Sequence, residues 1–165
     1  MYKRQDPATQ CDAVKFVSTT ETEVPTALKF GTATPVKFAG LWKYSDSKTF
    51  DYIASLEVVE GATMTMTNMI TATATNPATT AITNNGTVNI SGATTLKLNM
   101  TNNGVIDIPV GAEFLMNGAE LTNNATSLEV YGKIDNAGSL GVQSNTSGKI
   151  NNYGYITQKN ADAYT

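Results

Sequence analysis

The sequence predicts an all-β fold: a single-stack parallel β-solenoid over residues 56–165, preceded by irregular N-terminal β coils or a cap over residues 6–55. Three observations lead there. A pattern of apolar-x-Asn-x-Gly-x-apolar recurs along the chain. Stretches with period-two alternation of apolar and polar residues flank it, as half-buried strands do. The composition is polar without being charged: 15% of the 165 residues are Asp, Glu, Lys or Arg, 41% are hydrophobic, and Thr, Asn, Ser and Gly supply much of the rest. Stacked β structure brings like side chains together. Rows of like charge repel, whereas rows of Thr or Asn hydrogen-bond.

The clearest repeat pair is residues 132–140, GKIDNAGSL, and residues 148–156, GKINNYGYI. The motif also reads Ile82-Thr83-Asn84-Asn85-Gly86-Thr87-Val88 and Met100-Thr101-Asn102-Asn103-Gly104-Val105-Ile106, with a looser copy at Leu121-Thr122-Asn123-Asn124. Its leading residues, Ile82, Met100, Leu121, Ile134 and Ile150, are 18, 21, 13 and 16 apart. A second motif sets Gly-Ala between alternating strands, at Gly61-Ala62, Gly92-Ala93 and Gly111-Ala112. A coil this short buries its apolar face only against neighbours above and below.

This alignment puts Asn84, Asn102, Asn136 and Asn152 at one position. Asn tolerates the left-handed backbone of a sharp turn, and its amide can bond up and down a stack as a ladder. Gly86, Gly104, Gly138 and Gly154 supply the accompanying turn geometry. Both sets read as structural. The same alignment sends Ile82, Val88, Met100, Ile106, Leu128, Ile134, Leu140, Ile150 and Ile156 into one core. It places Lys133 and Lys149 in one exposed row.

The N-terminal third is patterned differently. Val14-Lys15-Phe16, Leu28-Lys29-Phe30, Val36-Lys37-Phe38 and Leu41-Trp42-Lys43-Tyr44 read as short strands with Lys on the wet face. Pro25 and Pro35 stand at strand starts. The low-complexity run Thr71-Ala72-Thr73-Ala74-Thr75-Asn76-Pro77 reads as an extended loop or a poorly patterned coil. Residues 2–5 resemble the translation of a sequencing-library adapter, so native sequence is expected from about Asp6. No capping pattern closes Asn160–Thr165, and truncation at that end is expected.

The repeat over roughly Leu56 to Thr157 resembles bacterial secreted or surface proteins built as right-handed parallel β-helices, including adhesin-like passenger domains. The resemblance implies an extracellular or cell-surface location. It also brings the carbohydrate-active branches of that architecture into view.

Composition excludes several kinds of chemistry. There is no His, so a Ser-His-Asp triad and a His-based metal site are absent, and no G-x-S-x-G occurs. Phosphate-cradling and dinucleotide patterns are missing. A net charge of −3 and a single Arg give no footprint for nucleic acid. One Cys allows no internal disulfide. No apolar run is long enough to span a membrane. No catalytic residue, cofactor or metal ligand is assigned. Asp107, Glu113, Glu120, Glu129 and Asp135 are the carboxylates that could serve a glycosidase, and none makes a tight pair in sequence. Trp42, Tyr44 and Tyr52 are candidates for stacking on sugar faces, against core packing as the plainer account. Thr63-Met64-Thr65-Met66-Thr67 has the T-x-T spacing of ice-binding solenoids, but it does not recur downstream, and β propensity accounts for it.

The reading is a non-catalytic extracellular structural or adhesive module, with weak multivalent contact to glycans or a cell-surface protein and edge-to-edge self-association. The alternative is a fragment of a carbohydrate-active β-helix enzyme, either a polysaccharide lyase or a glycoside hydrolase.

Overall fold

The computed structural model describes residues 13–74, 81–116 and 119–124, and the backbone pairing of the strand segments 128–130, 133–136, 139–142, 150–152 and 155–158. The described elements are all strands: β1 (Val14–Glu23), β2 (Ala27–Val58), β3 (Thr63–Ala74), β4 (Ile82–Asn84), β5 (Thr87–Leu96), β6 (Met100–Asn102) and β7 (Val105–Ile108), followed by β8 (Glu113–Met116), β9 (Glu120–Asn123), β10 (Leu128–Val130), β11 (Lys133–Asn136), β12 (Ser139–Val142), β13 (Ile150–Asn152) and β14 (Tyr155–Gln158). Each pairs in parallel with strands one coil away, and all 14 join one sheet. The fold is a β-solenoid. Because the chain returns to each wall in the same direction, every N–H and C=O points along the stack to a partner in the next coil.

Three walls follow from the register. In the first, Leu56–Val58 pairs with β4, β4 with β6, β6 with β9 and β9 with β12. In the second, the start of β3 pairs with the start of β5, then β7, β10 and β13. The third stacks the end of β5 on β8, β11 and β14. Alternation sends every second residue inward. Ile82, Val88, Met100 and Ile106 are buried, as their place in the repeat predicts, beside Met64, Ile90, Ile108 and Phe114. The side chains of Leu128, Ile134, Leu140, Ile150 and Ile156 lie outside the described residues.

The early coils belong to the same stack, for β2 runs unbroken through residue 56. They are irregular, with register shifts between Ser18 and Thr22, Ser45 and Ser47, and Thr67 and Asn68. One corner recurs. Asp46, Asn68 and Gly92 each follow the paired column Ser45, Thr67 and Ser91, and each takes a positive φ of 62–63°. Asp, Asn and Gly are the residues that accept this conformation at least cost. Thr71-Ala72-Thr73-Ala74, expected as a loop or weak coil, is strand paired to Ser47–Phe50. Phe16 stacks on Phe38 at 5.7 Å, and Trp42 meets Phe38 edge-on at 5.0 Å, so aromatic rings fill the first coils.

Two parts of the sequence alignment are corrected by the register. The segments beginning at Gly132 and Gly148 are not successive coils. Ile134 sits opposite Phe114 and Ile156 in the third wall, whereas Ile150 sits opposite Leu128 in the second. Lys133 is consequently the backbone partner of Glu113 and Tyr155; Lys149 lies outside the described residues. The Gly-Ala motif also serves two different corners. Ala62 N–H bonds Val59 O with Gly61 at φ 77°, and Ala112 N–H bonds Pro109 O with Gly111 at φ 83°. Both have the hydrogen bond and positive third-position φ of a type II turn. The first joins walls one and two, the second walls two and three. Met64–Met66, not Leu56–Val58, therefore pairs with Val88–Ile90. A turn code states that the chain bends and not which corner it bends at.

Gly86 and Gly104 are needed for close approach, not for a left-handed backbone. Neither has positive φ. A Cβ on Gly104 would lie 2.1 Å from Gly86 O, and one on Gly86 would lie 2.4 Å from Val59 O. Gly138 and Gly154 lie outside the described residues. Gly104→Ala should lower stability by roughly 1–3 kcal/mol through overpacking. Gly31→Ala, whose Cβ meets nothing within 4 Å, should change stability by less than about 0.5 kcal/mol. Denaturant midpoints of the two variants check this, and equal midpoints would contradict the close-approach role.

Candidate functional site

The first wall ends in two parallel rows of amides. Asn84, Asn102 and Asn123 point inward and are fully buried. Asn84 Nδ2 donates to Asn102 Oδ1 at 2.7 Å, and Asn102 Nδ2 donates to Asn123 Oδ1 at 2.8 Å. Asn84 Nδ2 also donates to Val105 O, and Asn84 Oδ1 accepts the Gly86 N–H. The inner row thus closes the turn and ties coil to coil. Asn136 and Asn152 are not in it. Asn136 pairs across the backbone with Met116 and Gln158, and Asn152 with Val130. Asn123 holds the third place, because coil length varies and equal motif spacing does not mean equal height on one wall.

The second row runs outside. Lys37 Nζ lies 2.8 Å from Glu57 Oε2. Asn85 Nδ2 donates to Glu57 Oε1 at 2.8 Å, Asn103 Nδ2 to Asn85 Oδ1 at 2.8 Å, and Asn124 Nδ2 to Asn103 Oδ1 at 3.1 Å. Every amide in this row donates in the same direction. Asn124 Oδ1 is buried without a partner, at the end where the next donor would arrive. Two residues back along each strand stand Thr83, Thr101 and Thr122, paired coil to coil and half-buried. The Asn-Asn doublet at 84–85, 102–103 and 123–124 was the sequence signal for this outer row, which sequence reasoning missed.

A surface groove of about 710 Å³ follows the outer row. Lys15, Lys37, Glu57, Asn85 and Asn103 line it, with Val59 and Glu60 on its margin. Lys15 and Lys37 are neighbours in adjacent coils. The hydrogen bond from Lys37 lowers the Glu57 carboxyl below the ordinary range; burial raises it, and the Asn85 bond adds to the lowering. Away from this groove, Lys48 is buried with its Nζ 2.6 Å from Glu23 Oε1 and 5.5 Å from the Tyr44 ring centroid. Burial pushes the Glu23 carboxyl up, but the bonds from Lys48 and the Ser45 N–H outweigh it and leave the carboxyl lowered.

The proposed sugar-stacking residues do not form a platform. Trp42 is 5% exposed and donates its indole N–H to Ala39 O, and Tyr44 is 0% exposed and donates to Thr71 O. Burial, with the Glu23 charge, pushes the Tyr44 phenol far above its ordinary range, so it remains a donor. Tyr52 is half-buried at a corner of its own, with φ 59°. With Lys43 on the wet face, alternation puts Trp42 and Tyr44 inward, which favours the core-packing account over sugar stacking.

Of the carboxylates, Asp107 and Glu120 are exposed and Glu113 half-buried. Asp107 pairs through its backbone with Asn89 and Glu129, and Asp135 with Leu115 and Thr157. The side chains of Glu129 and Asp135 lie outside the described residues. Thr63, Thr65 and Thr67 pair with Thr87, Asn89 and Ser91, so the hydroxyl-rich spacing extends one coil further than the sequence suggested. Among the described residues no helix is long and apolar enough to cross a membrane. In comparison with known proteins, the chain matches no family model, no curated protein and no solved structure.

Asn102→Ala should cost about 2–4 kcal/mol, since it takes one acceptor from the buried Asn84 amide and one donor from the buried Asn123 oxygen. Asn103→Ala, on the exposed row, should cost less than about 1 kcal/mol. Thermal and denaturant unfolding would show the difference, and equal losses would contradict the inner row's role. The pH dependence has a definite sign. Glu57 and Glu23 have folded pKa values below their unfolded ones, so their contribution is full above the unfolded value and is lost as pH falls through the folded one. Stability should drop on acidification below the ordinary glutamate range, and less steeply in Glu57→Gln. Identical acid profiles for the two proteins would contradict this.

Proposed function

We propose that this chain is a non-catalytic extracellular structural or adhesive module of a bacterial surface, which makes weak, multivalent contact with glycans through its first wall. The observation that supports this is the repetition of the same Thr and Asn side chains, in register, on consecutive coils. Such a surface has no single concentrated site. It offers identical polar contacts at intervals of about 4.8 Å along the stack. Each contact is weak in water, and affinity comes from engaging several at once. The hydrogen-bonded amides are already ordered, so little side-chain entropy remains to be lost on binding.

The enzyme alternative has one observation in its favour: Asp107 and Glu129 are backbone partners on adjacent coils. A retaining glycosidase sets two carboxyl groups about 5–5.5 Å apart across its substrate. One of them needs a raised pKa to act as the acid, from burial or a close like charge. Asp107 stands exposed on the outer face of the second wall, open to solvent and not buried as such an acid would be. The adhesive reading therefore stands first. The edge strand β1, which among the described residues pairs with β2 alone, is a template for a strand of another copy.

On a glycan array, the protein displayed densely on beads should retain polysaccharides that the monomer binds only with millimolar Kd, about −4 kcal/mol. No retention at any density would refute the adhesive reading. Turnover of a polysaccharide that disappears in Asp107→Asn would promote the enzyme reading. Sedimentation velocity should show concentration-dependent association, and a strict monomer throughout would refute pairing at the β1 edge.

A further inference from the structure

The geometry points to the ligand class and its orientation: an uncharged, extended β-linked polysaccharide lying along the stack axis, one sugar to a coil, on Thr83, Thr101 and Thr122 and on Asn85, Asn103 and Asn124. This inference rests on the glycan-binding reading above and narrows it.

Charge argues for a neutral chain. In the groove Lys37 is already neutralised by Glu57, and Glu57 has both carboxylate oxygens engaged, one by Lys37 and one by Asn85. The remaining charges, Lys15 and Glu60, are of opposite sign. Farther along the row the ligand would meet hydroxyls and amides, and at its end the exposed Glu120 carboxylate beside Thr122, which would repel an acidic chain. Those amides hold hydrogen-bonding capacity in reserve. Each Asn of the outer row spends one N–H on its neighbour and keeps a second, and Asn85 and Asn103 each keep a free lone pair on Oδ1. A side-chain amide that donates and accepts at once matches a pair of adjacent sugar hydroxyls. Among the described residues, no group holds the Thr83 and Thr101 hydroxyls. Thr122 donates to Glu120, which leaves its oxygen able to accept.

Spacing argues for the orientation. Each Thr and the Asn just past the end of its strand, two residues on, are at most roughly 6.6 Å apart, while like residues on successive coils repeat at about 4.8 Å. Extended β-linked hexose chains advance by a little more than this coil spacing per sugar. A chain along the axis would therefore meet an equivalent Thr and Asn at each coil, whereas a chain across the wall would meet them once. The mode of contact agrees. Among the described residues, the first-wall segments 56–58, 82–84, 100–102 and 120–123 hold no aromatic ring for a sugar to stack on, so recognition falls to the hydroxyl edge of the chain.

The test is titration of the full chain with β-1,4-linked glucose oligomers of increasing length, followed by calorimetry or NMR. Affinity should rise with each added sugar and level off once the three coils are spanned. Cyclic or branched glucose oligomers of equal size should bind no better than the disaccharide. Thr101→Val and Asn103→Ala should each weaken binding of the longest linear oligomer by about two- to tenfold, the worth of one net hydrogen bond. Their unfolding midpoints report separately on folding. Binding that ignores length, or that both variants leave intact, would overturn the orientation while leaving a glycan-binding module standing. Tighter binding of linear uronate oligomers than of glucose oligomers of the same length would overturn the neutral class. Failure of every glycan, linear, cyclic or charged, would overturn this inference and the adhesive reading together.

Discussion

Parallel backbone pairing between coils is the constraint on which everything else in this molecule depends. Each strand gives its N–H and C=O groups to the coils above and below, so the height of any residue is set by the residue it pairs with. Side-chain rows are a consequence. When Ile82 pairs with Met100 and Met100 with Leu121, the residues two and three places on must also stack. The buried amide row and the exposed one are thus two readouts of a single register. Close coil contact at the turns makes the same demand in steric form, since the backbone of Gly104 runs too near Gly86 O to admit a side chain.

The inner amides show how a polar group can live in an apolar core. A buried amide without partners is costly, and a lone Asn between coils would destabilise the stack. Repetition solves this, because each Asn supplies the acceptor its neighbour needs. The surplus N–H of Asn84 reaches Val105 O. A row of charged residues could not be arranged in this way, and the outer row shows the boundary between the two solutions. It starts from the Lys37–Glu57 pair and continues as amides alone.

The early coils hold together differently. Aromatic rings and the pair of buried Lys48 with exposed Glu23 replace the amide rows, and bulges interrupt the register. Such a pair is a modest source of stability, but losing Glu23 would leave the buried Lys48 charge without it. These coils therefore depend more on particular side-chain fits than the Thr-Asn coils, where one pattern is used repeatedly. The surface that repeats is also the one that can offer a polymer the same contact several times.

Local periodicity in the sequence was enough for the fold class, for the inward phase of Ile82, Val88, Met100 and Ile106, and for the stacking of Asn84 on Asn102. Each of these follows from alternation within a strand or from neighbouring copies with intact motifs. Register beyond those copies was not legible. The 16-residue similarity between the segments at Gly132 and Gly148 joins different walls, and it misassigned Asn136, Asn152 and Lys133. Turn motifs encode backbone conformation, which is the same at every corner. Only the pairing of distant strands decides which corner a turn occupies. The assembly of Lys37, Glu57, Asn85 and Asn103 into one groove was likewise decided by tertiary structure. Those side chains meet through coil lengths that vary, and no local pattern carries the length of a coil.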